Sequence, residues 1–84
     1  MDIPSDKPIA FRIPDEAKTV TFINNDASTD VWISDRKREL EAKFPPDGGQ
    51  KIAKGGTVLQ WSAYKGDAWL RANGALVTQF VALY

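Results

Sequence analysis

The hydroxyl groups of Ser5, Ser28, Ser34 and Ser62 are the first candidates for chemistry in this chain, and nothing activates them. The 84 residues contain no His and no Cys. A serine nucleophile needs a positioned base. With histidine missing, only a Ser-Lys dyad is conceivable, and no motif supports one. A second candidate is paired-carboxylate hydrolysis by the clustered Asp35, Glu39 and Glu41. A charge run of this kind is far more often a solvated loop, and a domain this small has little room for a deep cleft. Asn24, Asn25, Asp26 and Asp30 gather oxygen atoms that calcium favours, but their spacing does not match an EF-hand loop. Asn- and Asp-rich turns form for backbone reasons alone. No catalytic residue, cofactor or metal site is therefore expected, and the chain reads as a binding or assembly protein rather than an enzyme.

The size supports one domain. A fold of this length buries only about 60–65% of the surface its unfolded chain exposes, so its core is modest. Small folds usually need a disulfide, a metal or neighbours. Without Cys and His, good packing or neighbours remain, and the features below favour neighbours. Lys plus Arg and Asp plus Glu both total 11, giving a formal net charge of zero. That balance argues against a nucleic-acid partner, which normally demands a basic excess. It also favours self-association. No apolar stretch approaches a membrane span. The opening Met1-Asp2-Ile3-Pro4-Ser5-Asp6 has neither the basic nor the apolar region of a signal peptide, so synthesis and assembly in a cytoplasm are expected.

Turn signals divide the chain into short apolar runs. Residues Met1–Pro8 carry two prolines and three charged groups and read as an extended N-terminal arm. The rest, residues 9–84, reads as one domain. Strands are expected over Ile9–Ile13, Lys18–Asn24, Asp30–Ser34, Gln50–Ala53, Thr57–Ser62, Ala68–Ala72 and Leu76–Tyr84, because period-two alternation between Gly and Asn turns marks a sandwich or barrel. Asp35–Lys43 holds helical signals, among them a Glu39–Lys43 spacing of four. A short isolated helix has little intrinsic stability, so a loop with at most one helical turn is expected. The fold class is all-β, a small antiparallel sandwich of about seven strands. Its core should contain Val20, Phe22, Val31, Ile33, Ile52, Leu59, Trp61, Leu70 and Phe80.

Partner-binding candidates follow from residues that a small core leaves over. With Val31, Ile33, Leu70 and Ala72 facing inward, Trp32, Trp69 and Arg71 point outward. The competing reading packs both tryptophans under a loop or makes them the true core, with Arg71 snorkelling out. The last strand is apolar on both faces, with Val77, Val81 and Leu83 on one and Leu76, Phe80, Ala82 and Tyr84 on the other. A strand wet on one side should alternate apolar with polar. Its second face is therefore expected to be covered by another chain. The basic triplet Arg36-Lys37-Arg38 is largely cancelled by Glu39 and Glu41.

Thr19-Val20-Thr21-Phe22-Ile23-Asn24-Asn25, Asp30-Val31-Trp32-Ile33-Ser34, Lys54-Gly55-Gly56-Thr57-Val58 and Asp67-Ala68-Trp69-Leu70-Arg71-Ala72-Asn73-Gly74, followed by a Val-rich last strand, resemble small β-sandwich structural proteins of tailed bacteriophage virions. The likeness is a strand-and-turn rhythm over Thr19 to Leu83. It implies a non-enzymatic virion protein: a capsid decoration (cement) protein, a head-fibre base, or a tail or baseplate accessory. Its implied partners are sister copies in a homo-oligomer, with a trimer as one arrangement, and the major capsid protein or another virion protein. No nucleic acid and no membrane are implied. Ile3 on the arm and Trp32, Trp69, Arg71, Val77, Val81, Leu83 and Tyr84 are the expected contacts. The alternative is a carbohydrate-binding module in which Trp32, Trp61, Trp69 or Tyr64 stacks on host-surface glycan.

Overall fold

Two antiparallel sheets form around the alternating apolar positions of the sequence. The computed structural model describes residues 1–41, 44–46 and 48–84. Its elements are β1 (Ile9–Ile13), β2 (Thr19–Asn24), β3 (Val31–Ser34), α1 (Lys37–Glu41), β4 (Gln50–Ile52), β5 (Thr57–Ser62), β6 (Gly66–Ala72) and β7 (Phe80–Leu83). One sheet has the order β1-β6-β3-β4 and the other the order β5-β2-β7. Among the described residues this is a seven-stranded, all-β fold with one short helix.

Alternation decides which residues are inside. In β2 Val20, Phe22 and Asn24 are buried, while Thr19, Thr21 and Ile23 are only half-buried. In β6 Ala68, Leu70 and Ala72 are buried, and the residues between them look out. The two inner faces meet in a cluster that includes Ile13, Val20, Phe22, Val31, Ile33, Ile52, Leu70 and Phe80. Phe22 lies at its centre. Its ring meets Phe11 edge-on at 6.0 Å, Trp61 edge-on at 5.7 Å and Phe80 at 6.3 Å. Leu59 and Trp61, expected in the core, are partly buried and pack against it. They lie on β5, an edge strand, where burial is incomplete.

The stretch expected to be a loop with at most one helical turn contains α1, which spans five residues. The rest of the expected Glu39–Lys43 pairing lies outside the described residues. Lys37 and Glu41, four apart, form the helix's ion pair at 3.8 Å. Gly49 closes this excursion. Its φ of +79° suits glycine, and a Cβ there would stand 2.6 Å from the Ile33 carbonyl oxygen. Only glycine lets the backbone pass so close.

Two expectations are corrected. Residues 1–8 bend at Ser5–Lys7 and are tied to the domain instead of standing free as an arm. Ile3 is fully buried and pairs with Val77 through N–H···O bonds of 2.7 and 3.0 Å. The Pro4 carbonyl accepts the Ala72 amide at 2.9 Å, and the Met1 ammonium donates to the Phe80 carbonyl at 2.6 Å. An apolar side chain between Asp2 and Pro4 thus completes the core instead of reaching for a partner. The last strand is also shorter than expected, because regular pairing runs only over Phe80–Leu83. Val77 precedes it, outside the strand's alternation, and is fully buried rather than aligned with Val81 and Leu83.

Truncating a fully buried Ile to Ala costs about 2–5 kcal/mol and a buried Phe about 3–5 kcal/mol. Both are large against a total stability of about 5–15 kcal/mol. Ile3→Ala and Phe22→Ala should therefore both lower the urea midpoint strongly. An Ile3→Ala protein that unfolds like wild type would show that the N-terminal segment is an accessory after all.

Candidate functional site

The outward face of the four-stranded sheet is covered over β3 and β6 by the protein itself. Trp32 on β3 and Trp69 and Arg71 on β6 do look away from the core, and all three are half-buried. Helix α1 lies against β3 and β6 on this side, with Leu40 fully buried. Arg71 donates from Nε to the Ser5 carbonyl at 2.8 Å and from Nη1 to the Leu40 carbonyl at 2.7 Å. Its guanidinium also lies 4.3 Å from the centre of the Phe44 ring. The Lys37 ammonium lies 5.3 Å from the Trp69 ring centre. The indole nitrogen of Trp32 is buried with no hydrogen-bond partner among the described residues. Arg71 is thus a structural tie between the N-terminal segment and α1. The tryptophans are packed under a loop and do not form an open platform.

The outward face of the three-stranded sheet is bare. The register sets Val58, Ile23 and Val81 in one row, and Gln60, Thr21 and Leu83 in the next. Ser62 and Thr19 form a third. These eight outward positions include no charged side chain, in a chain that is 26% charged. A typical surface would be about 25–35% charged. Val58 is 56% exposed, Leu83 54%, Tyr84 72% and Leu76 55%. Of the expected partner contacts, Val81 and Leu83 belong here; Tyr84 is exposed but follows the inward parity of Phe80 and Ala82, with its ring 6.4 Å from that of Phe11, and Ile3 and Val77 are buried and unavailable. Val58 and Ile23 were missed. Their signal was the alternation of β5, which sets Val58, Gln60 and Ser62 opposite Leu59 and Trp61.

The β7 edge of this sheet is short. Asn25 donates its amide to the Gln79 carbonyl at 2.8 Å. Counting on from that bond, Val81 and Leu83 exchange hydrogen bonds with β2, and Phe80 and Ala82 turn their amide groups to the open side. Met1 takes the Phe80 carbonyl. The Ala82 groups remain at the edge, which carries neither Lys nor Pro to blunt it.

The Asn24–Asp30 turn is filled by its own backbone. Asn24, fully buried, donates from Nδ2 to the carbonyls of Thr29 and Ile52, both at 2.9 Å. Its Oδ1 accepts the Asp26 amide at 3.1 Å. The Asp26 carboxylate accepts the amides of Ser28 at 3.0 Å and Thr29 at 2.7 Å, and these bonds hold its pKa below the ordinary 3.8. Asp30 accepts the Lys54 amide at 2.9 Å. Among the described residues, no three His, Cys, Asp or Glu side chains stand close enough to share a metal ion. No helix among them is long and apolar enough to cross a membrane.

An open cleft of about 450 Å³ lies where edge strands β4 and β5 face each other. Trp61, Tyr64, Asp35, Glu39, Gln50 and Gln60 line it. Trp61 donates from Nε1 to Gln50 Oε1 at 3.0 Å, joining the two sheets across the opening. The Ser34 hydroxyl donates to Glu39 Oε1. Burial, then the negative charges of Asp35 and Asp67, push the Tyr64 pKa above its usual 10.0. Comparison with protein-family models, with curated proteins and with solved structures returns no match.

The turn sets an acid limit. A carboxylate whose folded pKa is depressed stabilises the fold above its unfolded pKa and loses that contribution as pH falls through the folded one. Asp26→Asn should flatten the melting-temperature profile below about pH 4 relative to wild type. An unchanged acid limb would rule out Asp26 as a contributor. Asn24→Ala leaves two buried carbonyls without donors, at about 1–3 kcal/mol each. Urea unfolding should show the loss, and a midpoint equal to wild type would show that neither bond matters.

Proposed function

We propose that this chain is a non-enzymatic structural protein that assembles with copies of itself through the outward face of the β5-β2-β7 sheet. The carrying observation is that face: uncharged at every outward position, apolar along the Val58–Ile23–Val81 row, and open at β7. Contiguous exposed apolar surface on a small soluble protein marks an interaction site. A patch without charge selects a partner without charge, since any charge buried against it would lose its hydration unpaired. A second copy offers that complement. The zero net charge of the chain removes the long-range repulsion that would keep copies apart.

Within this reading, the resemblance to small sandwich proteins of phage virions favours a capsid decoration protein that stabilises a head lattice as an oligomer. Repeated identical contacts on a lattice add through multivalency, so each can be weak. The N-terminal segment has no part in the attachment, because its apolar side chain is already used by the core. Attachment to the major capsid protein then falls to the surface that self-association leaves exposed.

Size-exclusion chromatography with light scattering tests the reading. Wild type should elute as an oligomer. Val81→Lys and Val58→Lys, both at exposed positions, should be monomers with wild-type circular dichroism. A wild-type protein that stays monomeric at all concentrations, or variants that keep the wild-type mass, would sink the proposal.

A further inference from the structure

We propose that the cleft between β4 and β5 binds a neutral saccharide, seated against the Trp61–Tyr64 corner and hydrogen-bonded by Asp35, Glu39 and Gln60. Its volume of about 450 Å³ lies within the range of small-molecule sites. The two rings meet with centroids 5.2 Å apart and planes inclined at 72°. Their polar tips are used elsewhere. Trp61 donates to Gln50, and the Tyr64 hydroxyl donates to the Asp67 carbonyl at 2.9 Å. The rings therefore present carbon to the cleft, while carboxylate and amide groups stand around it.

The chemistry of the lining selects the guest. Among the described residues, no Lys, Arg or His lines the cleft, and two carboxylates do. Phosphates and other anions are repelled. A cation would be drawn to Asp35 and Glu39, but Arg36, Lys37 and Arg38 lie between them in the chain. Asp35 to Glu41 contains three cations and three carboxylates, so the segment is neutral as a whole. A neutral ligand loses least there. It needs an apolar C–H face for the aromatic corner and several O–H donors for the carboxylates, and a sugar ring has both. Glu39 is already oriented, because its Oε1 accepts the Ser34 hydroxyl. A pre-set acceptor costs less entropy to engage. The cleft is at the β5 edge and the open strand edge is at β7, on the opposite side of the same sheet. Most of the cleft lining thus lies away from β7, and only Gln60 and Ser62 also look out from the bare face.

The test is an NMR titration of the labelled full chain. The indole N–H of Trp61 is the reporter, since its bond to Gln50 spans the cleft. The probes are neutral oligosaccharides built on glucose, galactose, mannose and N-acetylglucosamine, with choline chloride and inorganic phosphate as separate arms. At least one saccharide should shift the Trp61 indole and the Gln60 amide saturably. Asp35→Ala, an exposed change, should weaken that binding about tenfold, the loss of one hydrogen bond to a charged group. Tyr64→Ala should weaken it at least as much, and Asp35→Ala keeps the test valid if the tyrosine variant unfolds. A cleft that responds to no saccharide, that responds to choline or phosphate alone, or whose saccharide affinity is unchanged in Asp35→Ala overturns the proposal.

Discussion

The carboxamide of Asn24 is the joint on which both sheets depend. Asn24 ends β2, where it pairs with Thr57 of β5 and Phe80 of β7. Its side chain crosses to the other sheet and holds the carbonyl of Ile52 at the end of β4, together with that of Thr29 just before β3. Five of the seven strands, its own included, begin or end within reach of this one residue. A fully buried amide is tolerated only when its groups are partnered. Here both nitrogen donors and the oxygen are engaged. The backbone around it is equally committed, since the Gly56 amide donates to the Asn24 carbonyl at 2.8 Å and the Gly55 amide to that of Asp26 at 2.8 Å. A hydrocarbon of the same shape would fill the space and leave two strand ends without partners.

With the sheets fixed at that end, their outward faces meet different fates. The four-stranded sheet carries Trp32, Trp69 and Arg71 outward, large groups that a bare surface would expose at a cost. Helix α1, which follows β3, packs over them, and Arg71 fastens it by donating to the Leu40 carbonyl. The same arginine holds the Ser5 carbonyl, so the cover and the N-terminal segment share one anchor. The three-stranded sheet has no comparable cover. Its outward side chains are uncharged and, apart from Gln60 and Leu83, small or β-branched, which suits a flat sheet-to-sheet contact better than a solvated face. The contrast between a self-covered face and a bare one in the same small domain points to the bare one as the surface for other molecules.

The strands were legible because alternation and glycine turns are local signals. Phe22, Leu70 and Ile52 could be placed inside from spacing alone. Val77 could not, because strand parity was carried through Ala75–Gln79, where the backbone leaves the regular ladder. A single irregular step moves a side chain from one face to the other. Ile3 was hidden for a different reason. Its neighbours are polar or proline, so no pattern surrounds it, and its burial arises only from pairing with Val77, 74 positions on in the chain. The outward direction of Trp32 and Trp69 followed from β3 and β6, but the cover over them is a tertiary fact. The cleft was the least legible feature. Asp35, Gln50, Trp61 and Tyr64 come from separate segments, and only the meeting of two edge strands gathers them.

Gln60 belongs to both surfaces. It looks outward from β5, donates to the Thr21 hydroxyl at 3.3 Å on the bare face, and also lines the cleft. The geometry therefore restricts how the two uses combine. A contact centred on β7 would bury Val81 and Leu83 and leave Gln60 and the cleft accessible. A contact spread across the whole sheet would extend over Val58 and hold Gln60 against a neighbour, setting the amide before any ligand arrived. In the first case assembly and ligand binding are independent. In the second they are coupled through Gln60 and through Ser62, which also lines the cleft, and by reciprocity a ligand that favours the same Gln60 position must strengthen the assembly.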